Sequence, residues 1–105
     1  MIFLNGLPSI IIDSDDTMNE IFKLYSISKK SFFSYNDIDS NHQLQIGVPY
    51  YFVNKRNRGR VQTYIRRKEE SLWEISQIFG IKLKKLEKFN EGNLSDKIIL
   101  RKGIF

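Results

Sequence analysis

The chain has 105 residues, 41% of them apolar and 13% aromatic, which is room for one ordinary domain or two very small ones with packed cores. It has no cysteine and a single histidine, His42, which excludes a disulfide framework, thiolate metal or redox sites and a multi-histidine metal centre. The net charge of +5 is unevenly divided: residues 1–53 carry three lysines against six acids, −3, and residues 54–105 carry fourteen bases against six acids, +8.

Residues 1–8 read as an N-terminal extension. Met1-Ile2-Phe3-Leu4 is apolar but lacks a basic start, and Asn5-Gly6 interrupts it too early for a signal peptide. No run reaches the roughly 18 apolar residues needed to cross a bilayer, so a chain working outside the cell would be cut from a longer protein or arrive by another route. Ile10-Ile11-Ile12 is a short β-prone run ending in a charged turn. Thr17-x-x-Glu20 then forms a capping box, in which the hydroxyl accepts from an early backbone N–H and the glutamate returns to the N–H of the cap. Met18, Ile21, Phe22 and Tyr25 follow at helical spacing, so a helix is expected over 17–25. A second helix is expected over 28–35, with Phe32 and Tyr35 inward, Lys29 and Lys30 in water and Asn36 at its end. Val48 to Val53 is the closing strand. Alternation along Tyr50-Tyr51-Phe52 leaves Tyr51 exposed on an edge.

Residues 54–61 hold Lys55, Arg56, Arg58 and Arg60 around Gly59. With no apolar periodicity and crowded like charges, the segment reads as a solvated basic linker. A nucleic-acid arm, or attraction to any anionic polymer or phospholipid surface, is the sharper reading of the same charge.

The order then repeats. Residues 10–36 align with 64–90 without a gap, at an offset of 54 (64 − 10). Tyr64-Ile65-Arg66 is the strand, Ser71-x-x-Glu74 the capping box, and Leu72, Ile75 and Phe79 the apolar face. Gly80 is a left-handed C-cap that its counterpart Ser26 would hold less comfortably. Helices are expected over 71–79 and 82–89. Beyond Asn90 the second copy reads as two residues longer, with Leu44-Gln45-Ile46-Gly47 meeting Leu100-Arg101-Lys102-Gly103. On that register its closing strand, within Lys97 to Phe105, is cut short. The expected fold class is α+β: two tandem βααβ units at 9–53 and 62–105, each a two-stranded antiparallel sheet with two helices on one face.

The second copy, with Tyr64, Glu70-Ser71-Leu72, Ile75, Phe79-Gly80-Ile81, Leu86, Phe89-Asn90 and Gly103, resembles the LysM domain. The first matches more loosely through Asp16-Thr17-Met18, Ile21, Tyr25-Ser26-Ile27, Tyr35-Asn36 and Gly47. With Leu4-Asn5-Gly6-Leu7 in front, the pair is also similar to the C-terminal LysM pair of glucosaminidase-type cell-wall hydrolases of Bacteroidetes. The resemblance implies a non-catalytic module for glycans containing N-acetylglucosamine, peptidoglycan or chitin, in the cell envelope or outside the cell. It implies a shallow groove in each unit between the turn after the first strand and the loop after the second helix. The first groove would be lined by Asp15, Asp16, Thr17 and Met18 facing Asn36, Asp37 and Ile38. The second would be lined by Glu69, Glu70, Ser71 and Leu72 facing Asn90, Glu91 and Gly92. The family commonly has glycine where Asp15 and Glu69 stand, and an apolar strand residue where Arg66 stands.

Plainer roles stand beside these. Thr17 and Ser71 are helix caps whether or not a sugar binds, and acids at helix N-termini serve the dipole. Nothing around them prepares a catalytic carboxylate. Trp73 has three roles open to it: packing, sugar contact and contact between the copies. His42 reads as solvated. No cofactor or metal is implied. A LysM-fold assembly domain without sugar binding is the alternative function.

Overall fold

In a computed structural model that describes residues 1–104, the chain opens on a hairpin of β1 (Ile2–Leu4) and β2 (Leu7–Ile11). The two residues between them, Asn5 and Gly6, both have positive φ, 54° and 73°, the pair that a tight turn matching strand twist demands. β2 then pairs antiparallel with β3 (Pro49–Tyr51), Ile10 opposite Tyr50, in the order β1-β2-β3. Residues expected as an extension therefore add a third strand to the first sheet.

Between β2 and β3 lie α1 (Met18–Leu24), capped by Thr17, and α2 (Lys29–Asn36), capped by Ser28. Only half of the expected box forms: Thr17 accepts from the Glu20 N–H at 3.3 Å, and its hydroxyl donates to Glu20 Oε1 at 2.8 Å. The core of this unit is aromatic. Phe32, fully buried, stacks on Tyr50 at 5.9 Å and meets the edge of Phe22 at 5.5 Å. Tyr51 is also fully buried, against expectation, because its hydroxyl is covered by the hairpin turn and accepts from Asn5 Nδ2 at 3.0 Å. Burial pushes this phenol up to about 12.

The second unit, beginning at Lys55, pairs β4 (Thr63–Ile65) with β5 (Lys97–Ile99), Tyr64 opposite Ile98, around α3 (Leu72–Phe79) and α4 (Leu83–Phe89). Ile75, Ile81, Leu86, Ile98 and Leu100 form its core, each worth about 1.5–3 kcal/mol when fully buried. The left-handed turn after the first helix falls on Gly80 (φ 65°) here and on Ser26 (φ 51°) in the first unit, closed by Ile81 N→Ser76 O and Ile27 N→Phe22 O.

The segment expected as a solvated linker is part of this unit. Lys55 is buried, and its Nζ donates to Ser76 Oγ at 3.1 Å and Gln77 Oε1 at 2.6 Å. Arg56 lies beside Ile81, its N–H bonding Gly80 O and its carbonyl accepting from Lys82 N. A Cβ on Gly59 would stand 2.8 Å from Leu100 Cβ. What fixes the segment is backbone pairing, a glycine contact and the buried Lys55 ammonium, which leave no apolar periodicity to read.

The register beyond the second helices also differs from expectation. Asn36 Oδ1 accepts from Tyr51 N, and Asn90 Oδ1 accepts from Ile99 N, so Tyr51 corresponds to Ile99. Phe52 N→Pro8 O and Leu100 N→Gln62 O repeat the match. Fifteen residues separate Asn36 from Tyr51 (51 − 36) and nine separate Asn90 from Ile99 (99 − 90), so the second copy is six shorter rather than two longer. The Leu-x-x-Gly match was a coincidence of composition. β5 ends at Ile99, and the closing strand is not cut short.

Candidate functional site

In each unit the first strand runs into a turn closed by its own acid. Asp16 Oδ2 accepts from Asp13 N at 2.9 Å, and Asp13 Oδ1 accepts from Asp15 N at 3.0 Å. In the second unit Glu70 Oε1 accepts from Arg67 N at 2.7 Å and from the Tyr64 hydroxyl at 2.6 Å, the latter raising the Tyr64 phenol. Thr17 and Ser71 then cap the helices, Ser71 accepting from Glu74 N at 3.0 Å. Of the two side chains at the family's glycine position, only Glu69 is in the left-handed region, at φ 70°, a conformation costing a non-glycine residue about 1–2 kcal/mol.

The facing loops are held to the same end of each sheet. In the second unit Arg66 N donates to Asp96 O at 2.7 Å, and Asn93 Nδ2 donates to Asn90 Oδ1 and Lys97 O, each at 3.0 Å. The Nε of Arg66 is buried without a hydrogen bond among the described residues, the consequence of a guanidinium where an apolar side chain is usual. In the first unit Gly47 N donates to Ile12 O at 2.8 Å, and the longer loop is pinned through Tyr50, whose hydroxyl meets His42 Nε2 at 2.6 Å and accepts from Gln45 N at 3.0 Å. His42 is therefore half-buried, not solvated, and burial lowers its pKa against an opposing effect of Asp39.

Of the expected groove residues, Asp15, Thr17, Glu69, Ser71, Glu91 and Gly92 are exposed, and Asp16, Met18, Glu70, Leu72, Asp37 and Ile38 are half-buried. Asn36 and Asn90 are buried. Asn36 Nδ2 donates to Phe32 O and Tyr51 O, and Asn90 Nδ2 to Leu86 O and Ile99 O, at 2.8–2.9 Å. Their side chains latch the second helix to the closing strand instead of facing outward. Trp73 is half-buried on the first turn of α3. Sequence reasoning missed Asn93, His42 and Tyr50 as loop anchors. The asparagine after Asn90-Glu91-Gly92 was the one signal within reach, since Asx side chains commonly close such turns. Among the described residues no group of His, Cys, Asp or Glu could hold a metal ion, and no helix is long and apolar enough to cross a membrane.

Two βααβ units, each with paired loops at one end of a small antiparallel sheet and no metal cluster among the described residues, define a tandem α+β module. The LysM domain family matches residues 10–48 and 67–101, and the chain belongs to that family. No curated protein matches it significantly. Among solved structures it is similar to the spore cortex-lytic enzyme SleL of Bacillus cereus, at 26% identity and a TM-score of 0.41. The likeness covers 93% of this chain and 21% of that one. LysM domains are in general non-catalytic modules that bind peptidoglycan and N-acetylglucosamine glycans.

Proposed function

We propose that the chain binds an N-acetylglucosamine polymer of the cell wall, peptidoglycan ahead of chitin, and targets a larger cell-wall protein, a glucosaminidase-type hydrolase being the favoured parent. The observation that carries the reading is the same pair of loops at the same end of both sheets. With Asp16, Glu70, Asn36 and Asn90 engaged internally, the loops expose the Thr17 and Ser71 hydroxyls and the carboxylates of Asp15, Glu69 and Glu91, with Met18 and Leu72 half-buried beside them. Backbone donors and acceptors beside a small apolar surface suit an N-acetyl group. In this reading Asp15–Met18 with Asp37 and Ile38 line the first groove, Glu69–Leu72 with Glu91 and Gly92 line the second, and Asn36 and Asn90 shape them from behind.

The test is co-sedimentation with insoluble peptidoglycan and with chitin at low and high salt. Retention that survives salt marks a neutral-sugar site, and retention that fades marks capture by charge alone. Chito-oligosaccharides incubated with the chain are expected to stay intact by mass spectrometry. An assembly domain without sugar binding is the reading left standing if neither polymer retains the chain.

A further inference from the structure

The half of the chain with net charge +8 concentrates part of that charge in a recess of the second unit. Asn57, Arg58, Lys85, Lys88, Glu91 and Arg101, with Phe89 among them, line a pocket of about 410 Å³. Four cations against one carboxylate give its wall a net charge of +3. The cations come from three separate stretches of chain, and two are fixed from behind. The Arg101 guanidinium carbon lies 4.7 Å from the centre of the Phe89 ring, and Arg101 takes a left-handed backbone, φ 53°. Arg58 lies where a Cβ on Gly103 would come within 3.0 Å of its own Cβ. That packing is held by Gly59 N→Leu100 O at 2.8 Å and Gly103 N→Gly59 O at 3.0 Å. Both arginine backbones thus belong to a paired stretch, not to free loops.

The first unit supplies an internal comparison. Position by position it lacks these cations: at the offset of 54 Ser34 stands where Lys88 does, and on the register of Tyr51 with Ile99 Val53 stands where Arg101 does. At the offset of 54, Ser31 corresponds to Lys85 and Tyr35 to Phe89. The cationic lining is therefore peculiar to the second unit and is not required by the fold.

We propose that this recess is a second binding site of the chain, one for a phosphate or phosphodiester group. Two guanidiniums and two ammoniums converging from different segments can meet several oxygens of a tetrahedral anion at once, whereas a planar carboxylate offers only two. Glu91 at the rim works against the anion. Glu91 is shared with the proposed glycan groove, but the four cations lie outside it, so the site stands whether or not a glycan binds.

The whole chain, labelled with ¹⁵N, is titrated with inorganic pyrophosphate at fixed ionic strength. Amide shifts are expected at 57–59, 88–91 and 101–102 and not at 28–35 in the first unit. The R58Q/R101Q variant is expected to bind at least tenfold more weakly, as is K85Q/K88Q, whose changes lie on an exposed helix face and spare the paired stretch. Glu91→Gln is expected to bind more tightly, and K23Q/K29Q unchanged. Two sources of the group are then separated with soluble poly(glycerol phosphate) and with phosphatidylglycerol vesicles: capture by either, lost in K85Q/K88Q, supports the site and names its source. Shifts spread over every lysine-bearing segment, or a K85Q/K88Q variant that binds as the parent does, would overturn it.

Discussion

Asn36 and Asn90 show most directly how one residue sets the architecture. Each carries an amide that matches a strand's N–H and C=O while donating back to its own helix. The asparagine pair was visible in the repeat, and its place at the helix ends was legible. Its role was not, because the partners lie 15 and nine residues away (51 − 36 and 99 − 90) across loops of unequal length. Asn36→Ala removes the amide that pairs the buried N–H and C=O of Tyr51, so the first unit should lose about 2–3 kcal/mol, read as a lower urea midpoint with unchanged slope. Tyr51 gives a second, pH-dependent test. Its phenol titrates at about 12 in the folded chain and near 10 when unfolded. The folded state thus holds the proton more tightly, and its stabilisation is complete below pH 10 and lost as pH rises from 10 toward 12. The loss should reach about 2–3 kcal/mol, and Tyr51→Phe should make the alkaline slope shallower in urea titrations followed between pH 9 and 11.5, the remainder belonging to Tyr50 and Tyr64, whose phenols are also raised.

At the scale of elements, the helices were the most legible part. Ser71 and Thr17 cap α3 and α1 where the spacing to Glu74 and Glu20 placed them, since a cap and an apolar stripe are local signals. β-branched and aromatic runs marked β2, β3 and β4, whereas β1 was taken for an extension and β5 was placed only within Lys97 to Phe105. What was not legible came from backbone: the pairing of Arg56 with Gly80 and Lys82, and the close approach at Gly59. Gly59→Ala tests that reading. Its Cβ would meet Leu100 Cβ at 2.8 Å, the Val61 carbonyl at 3.1 Å and Ile81 Cδ1 at 3.2 Å, and overpacking of this kind costs about 1–3 kcal/mol. A solvated linker would tolerate the methyl group, so an unchanged melting temperature would refute the packing. The turn before α3 gives the opposite sign. Glu69 is at φ 70° with an exposed side chain, and Glu69→Gly should raise the stability of the second unit by a few tenths to about 1 kcal/mol, the strain released being partly offset by the added freedom of glycine in the unfolded chain. Asp15→Gly, outside the left-handed region, should gain nothing.

Across the whole molecule the two units share a fold and differ in charge and in loop length, and both differences bear on which one binds. Residues 1–53 carry −3 and residues 54–105 carry +8, so the stem-peptide carboxylates of peptidoglycan should be repelled by the first unit and attracted by the second at low salt. Asp13, Asp15 and Asp16 rim the first turn, while Arg67 and Lys68 stand in the second. The six-residue-longer loop of the first unit is tied to Tyr50 by His42 and Gln45, whereas the second loop is short and closed on itself by Asn93. The strand beside the second unit's loop is held in place, β5 (Lys97–Ile99) being latched by Asn90. Trp73, half-buried at the start of α3 where the first unit has Asn19, is in the proposed reading an aromatic sugar contact that the first unit lacks. The second unit is therefore expected to bind the glycan more tightly. In a titration of the whole chain with a chito-oligosaccharide, amide shifts at 70–72 and 91–93 should come earlier and larger than those at 16–18 and 37–38. With a muropeptide bearing its stem carboxylates the difference should widen at low salt and narrow as salt is added. Earlier saturation of the first unit under both ligands would show that the extra loop, rather than charge and the tryptophan, decides the matter.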